Sequence, residues 1–162
     1  MILNLVPMND SEFGDWIAVS LKDYIVDRIK SGESAELAKA TASESFARLF
    51  PDGKPTAGHI VRKAVKDDGH AVGYVWVGPD SGDGTDWWVW DIAVHVEHRG
   101  RGYGRKIMEL AEATAVASGA RSMGLHVFGF NTVARDLYES LGYAPTSIRM
   151  SKQLTAPPED VV

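Results

Sequence analysis

Trp87-Trp88-Val89-Trp90-Asp91-Ile92-Ala93-Val94-His95-Val96-Glu97-His98-Arg99-Gly100-Arg101-Gly102-Tyr103-Gly104-Arg105 is the stretch whose reading decides the fold. It begins as an aromatic and β-branched run that reads as a strand, breaks into alternating glycines and arginines, and continues into an amphipathic segment that reads as a helix. A strand, a glycine-rich turn and a helix start together make an anion site. Gly100, Gly102 and Gly104 let the backbone turn tightly and approach a ligand, and the first N–H groups of a helix point outward unpaired. Arg99, Arg101 and Arg105 add forked cationic donors suited to phosphate.

Two common phosphate loops do not fit. The glycines fall at every second position rather than as G-x-G-x-x-G, no acidic ribose partner stands about twenty residues on, and there is no G-K-[ST] ending. The stretch does resemble motif A of the GCN5-related N-acetyltransferase (GNAT) family, [RQ]-x-x-G-x-[GA], met by Arg99, Gly102 and Gly104. A second segment, Asn131-Thr-Val-Ala-Arg-Asp-Leu-Tyr-Glu-Ser-Leu-Gly-Tyr143, resembles that family's N-x-x-A-x-x-[LF]-Y-x-x-x-G-[FY] signature. Glu97, just before His98 and Arg99, also matches a common turn of the family.

Composition is consistent with the resemblance. The 162 residues suit one domain, expected over 1–155, with 156–162 expected as a flexible tail. The absence of cysteine excludes a disulfide framework, thiolate zinc sites and a cysteine nucleophile, and fits a cytoplasmic location. Residues 1–7 lack the basic and apolar regions of a signal peptide, and no apolar run approaches the length of a membrane span. A net charge of −5 argues against general nucleic-acid binding, because positive charge gathers only near the glycine loop.

In chain order, Leu3 to Met8 reads as a first strand. A helix capped by Asn9 or Ser11 carries Phe13, Ile17, Leu21, Tyr24, Ile25 and Arg28 in one row up to Gly32. Ser34 caps a second helix to about Leu49, with Leu37, Ala38, Ala42, Phe46 and Leu49 inward. His59 to Lys66 and Ala71 to Val77 form a hairpin around Asp67 to His70, and Pro79 to Asp86 reads as a surface loop. After the strand Trp87 to His95 and the glycine loop, Ile107, Met108, Ala111 and Ala115 mark a helix ending at Gly119. Ser122 to Phe128 reads as a strand parallel to the Trp87 strand through a right-handed crossover. A short helix capped by Asn131 carries Ala134, Leu137, Tyr138 and Leu141, and Tyr143 to Leu154 reads as one long or two broken strands. The resemblance implies an α/β (mixed α+β) GNAT fold: a mostly antiparallel twisted sheet of six or seven strands, one splayed parallel pair, and helices on both faces.

The resemblance also implies an activity, transfer of an acetyl group from acetyl-CoA to a primary amine of a small molecule or peptide through a tetrahedral intermediate. The same pocket without turnover, an acyl-CoA sensor, is the alternative. Arg99 to Arg105 would hold the diphosphate, and backbone groups of Ile92, Ala93 and Val94 would pair with the pantetheine arm. Asn131 and Ala134 would sit near the cofactor. Tyr138 matches the family tyrosine that often serves as general acid toward the CoA sulfur. A phenol near about 10 protonating a thiolate near about 8.5 is uphill by roughly 2 kcal/mol, so a hydrogen bond is as plausible a role as full proton transfer. For the base, strand alternation places Asp91 with Val89, Ala93 and His95, opposite Trp88, Trp90 and Ile92. A carboxylate among apolar residues must be paired, raised in pKa or facing a cavity, which makes Asp91 the first candidate and His95 the second. No metal is implied, since His95 and His98 lack a further ligand at matching spacing. Trp76, Trp87, Trp88 and Trp90 are candidate pocket walls, and Asp15, Asp23, Asp27 and Glu33 are candidate attractors of a cationic amine. A homodimer through the late strands is compatible with this reading, but no residue pattern argues for it.

Overall fold

The computed structural model describes residues 2–155, so the tail expected at 156–162 lies outside the described residues. One five-stranded sheet runs in the order β1 (Leu3–Pro7), β2 (Ile60–Lys66), β3 (Ala71–Ser81), β4 (Asp86–Val94), β5 (Ser122–Leu125). The first three pairings are antiparallel and β4 pairs with β5 in parallel. The helices are α1 (Asp10–Lys30), α2 (Ala35–Leu49), α3 (Tyr103–Ala117) and α4 (Thr132–Ser140).

The caps explain where the helices start. The Asn9 side chain accepts from the Glu12 amide while the Glu12 carboxylate accepts from the Asn9 amide, each at 2.9 Å, a complete capping box. Ser34 accepts from the Leu37 amide, and Asn131 from the Ala134 amide.

Two cores lie on opposite faces of the sheet. On one, Ile107, Met108, Ala111 and Ala115 of α3, the row marked in the sequence, pack on Val72, Val75, Val77, Trp87 and Val89. On the other, Trp16 of α1 and Phe50 after α2 close on Val61 and Trp76, with Phe13, Phe46, Tyr74 and Trp90 around them. The buried centre of α1 is therefore Trp16 and Ser20, one step round the helix from the expected row. On α2, Ala38 and Ala42 are fully buried, whereas Leu37 is exposed.

Three expected boundaries differ, the first being the strand expected over Ser122 to Phe128, which ends at Leu125. β3 runs on through Pro79 and Asp80 and β4 begins at Asp86, so the connecting turn is shorter than the loop expected over Pro79 to Asp86. Residues 143–154 form no strand with the other described residues, so the described residues hold five strands instead of six or seven, with β5 at an outer edge among them. The apolar alternation that suggests a strand there records a preference for pairing without naming a partner.

Gly124 shows how closely the parallel pair is fitted. It lies opposite Trp88, and a Cβ at this position would stand 2.4 Å from Trp88 Cζ3. Gly124→Ala must push the indole aside, and is expected to cost about 1–3 kcal/mol as overpacking does. A lowered urea midpoint at unchanged m-value checks this.

Candidate active site

β4 and β5 run together only from Asp86 opposite Ser122 to Val89 opposite Leu125. β4 then continues to Val94 while β5 ends, so the two strands part like a wedge beside Trp90 to Val94. The parting exposes the side of the β4 backbone that faces β5, where two strands would otherwise bond.

At the far end of β4 lies the glycine loop. The chain leaves Val94 through a short helical turn, Val96–His98, and enters α3 with Gly102 at the cap in the left-handed region, φ 80°. A residue with a Cβ is strained there. The Arg99 amide donates to Val96 and the Lys106 amide to Gly102, which closes the first turn of α3. Between them, no oxygen among the described residues accepts from the amides of Gly100, Arg101, Gly102, Tyr103, Gly104 or Arg105. Six consecutive amides at a helix start, with Arg101 and Arg105 exposed beside them, fit a diphosphate. Gly104 has a separate reason to be small: its Cβ would lie 3.2 Å from Leu137 on α4.

Other residues expected at the site fall into distinct places. The Arg99 Nε donates to the Val94 carbonyl at 3.1 Å, tying the loop to the end of β4. The Arg105 guanidinium donates to the Ser140 hydroxyl on α4. Asn131 lines the cleft while capping α4, which uses the Ala134 amide. His95 donates its backbone amide to Val72, and the His98 ring packs edge-on against Tyr103 inside the loop. Of the candidate aromatic walls, Trp76, Trp88 and Trp90 border the cleft, whereas Trp87 sits in the core under α3.

Asp91 departs from strand alternation. Trp76 stands opposite Asp91 and Val77 opposite Val89, which leaves Trp90 as the extra residue of a bulge. Trp90 and Asp91 consequently share the α1 face, Trp90 stacked on Trp76 at 5.6 Å and Asp91 accepting a hydrogen bond from Ser20 of α1. Val89 remains on the α3 face. The expected grouping of Asp91 with Val89 is thus corrected by one inserted residue. Burial pushes the Asp91 carboxyl up to about 6, against the lowering pull of the Ser20 hydrogen bond and then of the Tyr74 phenol.

Tyr138 reaches the same cleft from the other face. It belongs to α4 and packs against the α3 core, yet it borders the cleft together with Asp91 because the parted strands leave a passage between the faces. Burial, and next the Asp91 charge, hold its phenol above the ordinary value. The wedge therefore joins a carboxyl poised near neutrality and a phenol kept protonated.

The whole cleft has a volume of about 330 Å³, and besides Asp91 and Tyr138 it is lined by Asp23, Asp27, Tyr24, Phe46 and Trp76, Trp88 and Trp90, with Arg48 at its border. The Asp27 carboxyl is raised by burial and then by the Asp23 charge one helical turn away. Glu33 is spent elsewhere: its carboxylate accepts from Arg28 at 2.6 and 2.9 Å, bracing the turn between α1 and α2. Asp15 does not border this cleft.

Nothing in the sequence singles out Ser20 or Tyr74, although both bear on Asp91. The one available signal is a small hydroxyl at helical spacing between Trp16 and the Asp23–Asp27 pair, on one face of α1.

Comparison with known proteins bears on this geometry directly. The model of the Acetyltransferase (GNAT) family matches residues 25–143, which begin within α1 and include the wedge, the glycine loop and Tyr138. The chain belongs to the GNAT acetyltransferase family. This GNAT chain is 29% identical over 156 residues to the uncharacterised N-acetyltransferase YycN of Bacillus subtilis, covering 95% of the chain and all of YycN. It is 28% identical to the uncharacterised N-acetyltransferase YdgE of the same organism, covering 95% of the chain and 99% of YdgE. The crystal structure of YycN superposes with a TM-score of 0.88 over 96% of the chain and all of YycN. AAC(6')-Iy, solved in complex with the bisubstrate analogue CoA-S-monomethyl-acetylneamine, shares the fold at a TM-score of 0.58 and 15% identity, over 96% of the chain and all of that structure. Among the described residues, no helix of this GNAT chain is long and apolar enough to cross a membrane.

Proposed function

We propose that this N-acetyltransferase moves an acetyl group from acetyl-CoA directly to the primary amine of a cationic small molecule or peptide. The observation that carries the proposal is the meeting of Asp91 and Tyr138, from opposite faces of the sheet, where β4 and β5 part. Acetyl-CoA supplies the activated acyl group, and the family's use of it accords with the free amides at Gly100 to Arg105. Those amides, with Arg101 and Arg105, hold the diphosphate, and the open edge of Trp90 to Val94 pairs with the amide-bearing arm. The thioester then lies between the two side chains. Asp91 accepts the proton that the attacking nitrogen loses, and Tyr138 donates a hydrogen bond to the sulfur as negative charge builds there.

The acceptor end favours a cation. Asp23 and Asp27 lie at helical spacing i and i+4, a repulsion that a bound ammonium relieves. The aromatic rings of Phe46 and Trp90 border the same cleft, and aromatic faces attract cations.

Thiol release measured against a panel of amines tests this reading. Aliphatic diamines and lysine-like amines are expected to be acetylated at a kcat/KM at least tenfold above neutral amines of equal size. Acetyl-CoA at about a hundred times its Kd is expected to stabilise the fold by about 2.7 kcal/mol. Stabilisation without thiol release from any amine would leave a sensor and contradict the proposal.

A further inference from the structure

Hydroxyl side chains on the later helices spend their proton on their own backbone. Thr114 donates to the Leu110 carbonyl, Ser118 to the Thr114 carbonyl and Ser140 to the Leu137 carbonyl. Ser20 does otherwise. Its hydroxyl reaches from α1 to β4 and donates to Oδ2 of Asp91, instead of turning back to the Trp16 carbonyl four residues earlier. At 4% exposure Ser20 is also the most deeply buried polar residue among the described residues. Burying a hydroxyl where alanine would fit has a cost, which the bond to Asp91 offsets.

Ser20 nonetheless borders the cleft, together with Asp91 and Tyr138. A hydroxyl has one proton and two lone pairs. With the proton committed to Asp91, the oxygen can offer only an acceptor to a molecule in the cleft, and that molecule must bring an N–H or O–H. Asp23, one helical turn along α1, borders the same cleft, so an amine drawn to Asp23 and Asp27 arrives with its N–H groups beside Ser20. Tyr74 provides the contrast. Its phenol also acts on Asp91, yet its ring packs edge-on against Trp16 at 5.9 Å and it does not border the cleft.

We infer that Ser20 carries the proton of the attacking amine to Asp91, an inference that rests on the reading of Asp91 as the base. As the nitrogen bonds to the acetyl carbon, it gives one proton to Ser20 Oγ, and Ser20 gives its own proton to Oδ2 of Asp91. The bond from acetyl carbon to sulfur then breaks, and its electron pair leaves with the sulfur. Ser20 ends neutral, as it began. Asp91 ends as the carboxylic acid and CoA as the thiolate, so the single negative charge passes from one to the other.

The pH dependence of kcat, measured on the full chain with acetyl-CoA and the aliphatic diamine putrescine, tests the relay. Asp23 of α1, Tyr74 of β3 and Tyr138 of α4 are the ionisable groups that act on Asp91 from the elements around it, and Tyr74 supplies the control. Ser20→Ala and Tyr74→Phe each remove a group that favours the ionised carboxylate, so both are expected to move the acid limb upward by about one pH unit. On the alkaline plateau the two part. There Tyr74→Phe is expected within about threefold of wild type, since Asp91 is ionised again, whereas Ser20→Ala stays about tenfold to a hundredfold down at a KM for acetyl-CoA changed less than about threefold. Ser20→Ala with Asp91→Asn is expected to be no slower than Asp91→Asn alone, because the relay works only through the carboxylate. Alanine is the better helix former at this position, so the variant is expected to fold with an unchanged far-UV spectrum.

A Ser20→Ala plateau at the wild-type rate, or a double variant slower than Asp91→Asn, overturns the relay and leaves Asp91 as the base. An acid limb that persists in Asp91→Asn overturns the reading of Asp91, and the relay with it. A wild type that does not acetylate putrescine overturns the acceptor reading, and with it the route that brings an amine to Ser20.

Discussion

Asp91→Asn is expected to lower kcat by about 10²- to 10⁴-fold, the range associated with loss of a positioned base, and at the same time to stabilise the protein. The two effects share one cause. Burial on the α1 face raises the carboxyl to about 6 from an ordinary 3.8, so the fold disfavours the ionised form that the chemistry requires. Below about pH 4 the group is protonated whether the chain is folded or not, and burial of its charge costs nothing. The cost grows as pH rises toward 6 and is present in full above it, on the order of 3 kcal/mol. Asparagine keeps an acceptor for the Ser20 hydroxyl without the charge. Wild type and variant should therefore melt together near pH 4 and diverge by pH 7.5, with the variant several degrees higher. The pH profile supplies the catalytic half of the test: wild-type kcat/KM falls below about pH 6, and the variant loses that limb. Ionisation of the amine also depresses rates at low pH, so the comparison between the two proteins carries the argument. An acid limb that persists unchanged in Asp91→Asn would remove Asp91 from the chemistry.

Tyr138→Phe should reduce kcat by about 10- to 100-fold while the KM for acetyl-CoA changes less than about threefold. A hydrogen bond to a charged group is worth about 1.5–3 kcal/mol, and the bond proposed here reaches full strength only as the sulfur becomes anionic. The environment argues against outright proton donation. A phenol already less acidic than a thiol is held higher still by burial and by Asp91, so proton transfer to the sulfur becomes more uphill. The phenyl ring keeps the edge-on contact with Tyr143, 6.1 Å between centroids, so stability should change little. Steady-state kinetics with a donor of more acidic thiol distinguishes the roles. The variant's deficit should shrink, because such a sulfur leaves with less help. An equal deficit with both donors would contradict the proposed contact.

The residues that give the fold its outline are readable because their signals are local. Asn9 and Glu12, or Ser34 before Ala35, fix helix starts through hydrogen bonds spanning three residues. The row Ile107, Met108, Ala111, Ala115 identifies the buried side of α3 because spacing along one helix is enough to define it. The site depends on relations between strands, which no single stretch records. Asp91 has the residue type and neighbourhood of a constrained carboxylate, yet its face is decided by the bulge opposite Trp76, a property of two strands together. Ser20 reads as a neutral helix residue until α1 is laid over β4. Residues 143–154 show the same limit from the other direction: Ile148, Met150 and Leu154 announce a strand, and only the folded chain reveals that none of the described residues pairs with them.

All of this rests on the wedge between β4 and β5 and the row of amides at its end. Titration of the isotopically labelled protein with CoA, followed residue by residue through backbone amide shifts, tests it most directly. The largest changes are expected at Gly100 to Arg105, with a second set along Ile92 to Val94. Saturable binding that leaves those amides where they were, and moves others instead, would contradict the account.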